Sequence, residues 1–71
     1  MRFADLPKDV QRVLLEHWSL GEIDDRLTDP EYFFDQVVNP HMSFLRRSGE
    51  NAPRFRLQKT PAGELRVLCM R

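Results

Sequence analysis

The chain has 71 residues, 41% of them hydrophobic and 31% charged, and its 11 basic and 11 acidic side chains cancel at neutral pH. That length fits one small domain, residues 1–71, and a chain of this size buries only about 60% of its unfolded surface, so its core is thin. A single cysteine, Cys69, excludes an intramolecular disulfide and favours a reducing compartment. With Asp5 inside residues 1–6 and no run of about 18 uncharged apolar residues, neither a signal peptide nor a membrane span is expected, and the chain reads as cytoplasmic.

Leu6, Val10, Val13, Leu14 and Trp18 follow one another at spacings that place them on one helical stripe. They predict a first helix that begins near Pro7, where a missing N–H costs nothing, and stops at Gly21. Ser19 and Glu22 have the spacing of a capping box, and Ile23 and Leu27 share a face, which predicts a short second helix. Thr28 and Glu31 repeat the capping spacing, Pro30 suits a first turn, and Phe33, Phe34, Val37 and Val38 supply the apolar stripe of a third helix. Asn39 and Pro40 are expected to end or kink it, because the residue before a proline avoids helical dihedrals. Asn39 would then cap a further turn carrying Met42, Phe44 and Leu45, with Arg46 and Arg47 at its C-terminal end and Gly49 as terminator.

Residues 48–53 are polar and loop-like, and beyond them the period changes from 3.6 to two. Arg54 to Lys59 alternates in character, residues 64–70 form a second apolar-rich run, and Thr60-Pro61-Ala62-Gly63 between them suits a type I turn followed by a bulge. If Thr60 opposes Glu64, then Phe55 faces Cys69 and Leu57 faces Val67 on one side, while Arg54, Arg56, Gln58, Arg66, Leu68 and Met70 share the other. The expected fold class is α+β, three or four short helices followed by a C-terminal antiparallel β-hairpin.

No catalytic or metal-binding constellation is visible in this order of residues. Cys69 sits at an apolar strand position, where a thiol is an inert core group, and neither His17 nor His41 has a supporting catalytic motif. His17, His41 and Cys69 show none of the close pairings of zinc sites, the acids around Asp24 and Asp29 do not form a calcium ladder, and Gly21, Gly49 and Gly63 stand alone. No enzyme activity, metal or cofactor is therefore expected.

Leu20-Gly21-Glu22-Ile23-Asp24-Asp25-Arg26-Leu27, followed by Thr28-Asp29-Pro30-Glu31 and Phe34, resembles helix-turn-helix proteins in the spacing of glycine, isoleucine, leucine and the apolar residue of the second helix. With a hairpin behind it, the order of elements is similar to winged-helix proteins, and that resemblance implies contact with DNA. Charge argues against the usual mode. The helix that would enter a groove offers Asp29, Glu31 and Asp35 and has no Lys or Arg from residue 27 through 45, whereas base edges and phosphates call for cationic or amide side chains.

The charges are polarised along the chain. Residues 1–41 carry nine acids against four bases, and residues 42–71 carry seven bases against two acids. A strand face that mixes Leu68 and Met70 with Arg54, Arg56 and Arg66 has the apolar-plus-arginine composition of protein interfaces. The reading is a non-enzymatic regulatory or adaptor-type protein, an inhibitor among the options, that binds another protein or a second copy of itself through these five residues. The alternative is nucleic-acid binding through the basic hairpin, Arg54, Arg56, Lys59 and Arg66.

Overall fold

A computed structural model describes residues 1–70, and it shows an α+β domain in which helices precede a two-stranded hairpin. A 3-10 turn, Phe3–Asp5, leads into α1 (Lys8–His17), α2 (Leu20–Arg26), α3 (Pro30–Tyr32), a π-helical segment (Phe33–Val38), α4 (Asn39–Arg47), β1 (Arg54–Lys59) and β2 (Leu65–Met70). Every described peptide bond is trans.

The first helix ends sooner than its pattern suggests. Trp18 is already extended, and Ser19 Oγ accepts the Glu22 N–H at 3.2 Å, so the cap of α2 interrupts the apolar stripe and places Gly21 inside the second helix. At the third helix the cap shifts by one residue. Asp29, not Thr28, accepts the Tyr32 N–H at 3.3 Å, while the Thr28 hydroxyl donates to the Asp25 carbonyl at 2.9 Å and so closes α2. A carboxylate on the open amides also complements the helix dipole, which a hydroxyl does less well.

Asn39 and Pro40 neither end the helix nor break its path. The six residues before α4 wind as a π-helix, with the Asn39 N–H donating to the Phe34 carbonyl five residues back. In a regular α-helix the Pro40 ring would clash with the carbonyl four residues earlier, and an extra residue in the preceding turn relieves that conflict while letting the chain stay helical from residue 30 to 47. The π-helical turn buries Phe33, Phe34 and Val38. α4 then closes on a Schellman motif: Gly49, at φ +90°, donates to the Arg46 carbonyl, and the Glu50 N–H donates to the Leu45 carbonyl.

One core holds these pieces. Leu6, Val10, Val13 and Leu14 meet Ile23 and Leu27 of the second helix, Phe33, Phe34, Val38 and Met42 of the long helical run, and Phe55 and Val67 of the hairpin. Phe34 lies against both Phe33 and Phe55, with ring centroids 5.4 and 5.7 Å apart in tilted pairs. Among the described residues no polar side chain is buried, so the core is held by apolar packing alone.

Candidate functional site

The hairpin is built as its alternation predicts. Thr60 N–H bonds the Glu64 carbonyl at 2.8 Å, Gly63 N–H bonds the Thr60 carbonyl at 2.9 Å, and Gly63 takes φ +85°, so a type I turn ends in a left-handed glycine bulge. The Thr60 hydroxyl also accepts the Glu64 N–H at 3.1 Å. The register that follows pairs Phe55 with Cys69 and Leu57 with Val67, which places Phe55 and Val67 in the core with Leu57 and Cys69 packed beside them.

The opposite face carries all five residues expected to contact a partner. Arg54 pairs with Met70, Arg56 with Leu68 and Gln58 with Arg66 in three successive same-face pairs, and all six side chains are exposed. Leu68 and Met70 retain 38% and 48% of their surface. No acid lies on this face of the two strands, so within the sheet the apolar pair is flanked by arginines and Gln58. The apolar pair is therefore not covered by Phe3 or by the helical run. Leu68 does share one cleft with Met1, Pro7 and the carboxylate-bearing Asp5, so the patch continues onto the N-terminal segment and meets one acid there.

Two side chains outside the hairpin hold this face in place. Asn39 uses its amide like a strand partner: its Nδ2 donates to the Phe55 carbonyl at 2.8 Å and its Oδ1 accepts the Phe55 N–H at 2.9 Å. Phe55 thus has both outward backbone groups satisfied on the free edge of β1, where water or another chain would otherwise compete for them. Arg46 donates through Nη1 to the Ala52 and Pro53 carbonyls at 3.3 and 3.0 Å, which ties the loop to the end of α4. Lys59 reaches Glu31 at 3.8 Å, but both side chains are largely in water, so that pair stabilises little.

A second cluster forms where α1 ends against the start of α4. His41 Nε2 lies 3.5 Å from His17 Nδ1 although the residues are 24 apart in the chain. Trp18 stands edge-on to both rings, with centroids 5.8 Å from His17 and 5.3 Å from His41, and packs its other side on Phe33 at 5.7 Å. The sequence separates these histidines too widely for any local spacing rule to join them, and both keep the surface or boundary positions their places in the chain suggest. Cys69, by contrast, sits on the far strand among core contacts, and the described residues hold no group of three or more His, Cys, Asp or Glu side chains arranged around a metal.

The helix-turn-helix-like stretch folds in the expected order, with Ile23, Leu27 and Phe34 buried together, while Asp24, Asp29, Glu31 and Asp35 all face solvent. Its outward surface is acidic. No helix among the described residues is long and apolar enough to cross a membrane. No protein-family model matches the chain, and neither curated proteins nor solved structures provide a significant match.

Proposed function

We propose that this protein is a non-enzymatic binding module that docks another protein on the outer face of its hairpin through Arg54, Arg56, Arg66, Leu68 and Met70. The observation that supports the reading is the register. It gathers every arginine of the two described strands around the only two large apolar side chains exposed on that sheet. Apolar centres edged by arginine are the composition in which interface energy concentrates, since burial of the apolar surface supplies affinity and guanidinium groups make forked hydrogen bonds to carboxylates. The partner that fits is an apolar surface edged by Asp and Glu. The arginines would steer the encounter and make it salt-sensitive, and the apolar pair would slow dissociation.

Capture from native lysate by the wild-type chain and by the Leu68→Glu, Met70→Glu variant tests the reading. A protein of defined mass is expected to be retained by the first and lost from the second, with circular dichroism showing equal helix and strand in both. An unfolded variant would show that the two side chains serve the core. Recovery of nucleic acid instead of protein, lost when Arg54, Arg56 and Arg66 become Ala and weakening steeply with salt, would replace the proposal with phosphate-backbone binding.

A further inference from the structure

We propose that His17 and His41 form a binding site for one borderline divalent transition-metal ion, Cu²⁺ or Zn²⁺, with water completing the coordination. Imidazole nitrogens are the preferred ligands of these ions, at Zn–N distances of about 2.0 to 2.1 Å. Two such bonds opening at a tetrahedral angle hold their nitrogens about 3.3 Å apart. His17 Nδ1 and His41 Nε2 are already 3.5 Å apart. At that separation an ion about 2.05 Å from each nitrogen subtends about 117°, so the spacing already suits both bonds and binding asks only that each nitrogen's lone pair turn about 30° off the line between them.

The rest of the surroundings agrees. His17 lines a surface groove with Asp9, Glu16 and Glu50 against one cation, Arg12, so the field on the His17 side of the pair favours a positive ion. The rings are held by Trp18, which is wedged between them and the core residue Phe33. In the metal-free protein one ring donates its N–H to the other. Metal binding replaces that shared proton, leaving both facing nitrogens as lone-pair donors and placing each ring's proton on its other nitrogen, Nε2 of His17 and Nδ1 of His41. Cu²⁺ should bind more tightly than Zn²⁺, as the general affinity order for nitrogen sites requires.

Trp18 is the only tryptophan and supplies the readout, because Cu²⁺ held within a ring's width of it quenches its fluorescence. Titration of the full chain with copper chloride in a non-coordinating buffer at neutral pH should give saturable quenching at one ion per chain. Zinc added beforehand should shift the midpoint upward by competition. Loss of an outer partner of a metal ligand alone costs about 10- to 100-fold in affinity, so His17→Ala and His41→Gln should each weaken binding by at least about tenfold. His41→Gln keeps a side chain of similar reach against Trp18, and circular dichroism checks that both variants remain folded. Unchanged saturable quenching in the double variant would overturn the assignment, as would binding that survives these changes and disappears in Cys69→Ser. Quenching that rises linearly without saturation in the wild type would leave the pair as a hydrogen-bonded contact and nothing more.

Discussion

Asn39 shows how much one side chain can settle. Its amide offers one donor and one acceptor at the spacing of a neighbouring strand, and both are used on the backbone of Phe55. The residue looks like a helix cap in sequence, next to a proline, yet it spends its hydrogen bonds on a segment 16 residues away. Asn39→Ala leaves a part-buried N–H and C=O without partners, and leaving such a group unmet costs about 1 to 3 kcal/mol. Destabilisation of about 2 kcal/mol is expected by urea titration, with the m-value unchanged because the same surface is exposed on unfolding. Asn39→Asp makes a sharper case. A carboxylate can still accept from the Phe55 N–H but repels its carbonyl, whereas the protonated acid can donate to that carbonyl. The native state therefore favours the protonated form, which raises the folded-state pKa of the introduced acid. Its deficit relative to wild type should be largest at neutral pH and shrink as pH falls through that raised value toward the ordinary carboxyl range, about 3.9. A deficit independent of pH would mean that water already serves the Phe55 carbonyl.

At the scale of elements, the caps separate what short-range pattern can show from what it cannot. Thr28 and Asp29 are neighbours that both suit an N-cap, and only geometry chooses between them: Asp29 caps the helix that starts at Pro30, and Thr28 closes the one before. Asp29→Ala should cost about 1 kcal/mol in chemical denaturation, against a few tenths for Thr28→Ala, and the reverse ranking would contradict the assigned cap. The hairpin was legible throughout, register included, because alternation, turn chemistry and glycine placement are all local and all agree. The stripe of α1 was legible too, but its end was not, since Trp18 continues the apolar period while Ser19 begins a new helix. The π-helical segment was unreadable for a related reason: a proline normally signals a stop, and whether the chain instead widens by one residue depends on how the helical run packs on the rest of the fold, a tertiary matter. Of the candidate sites, the outer hairpin face follows from a period of two, whereas the histidine pair exists only because α1 and α4 meet.

For the molecule as a whole, the division between a thin apolar core and a mixed outer face governs which substitutions unfold it and which leave it folded. Stability of about 0.05 to 0.15 kcal/mol per residue gives a chain of this length about 4 to 11 kcal/mol in total. Truncating a fully buried phenylalanine costs about 3 to 5 kcal/mol, from lost transfer energy and the cavity left behind. Phe34 is fully buried and joins Phe33 of its own helical run to Phe55 of the hairpin, so its removal loosens helices and sheet together. Phe34→Ala should accordingly consume a large share of the available stability and lower the melting temperature by more than about 10 °C, at the roughly 4 to 8 °C per kcal/mol typical of small domains. Leu68 and Met70, which keep 38% and 48% of their surface in the folded chain, should behave in the opposite way when changed to Glu, with a melting temperature close to wild type. Measured side by side by differential scanning calorimetry, the two variants ask whether the hairpin's outer face is independent of the core. A large drop for both would place Leu68 and Met70 among the residues that hold the fold, and a small drop for both would mean that the helical layer stands without its central phenylalanine.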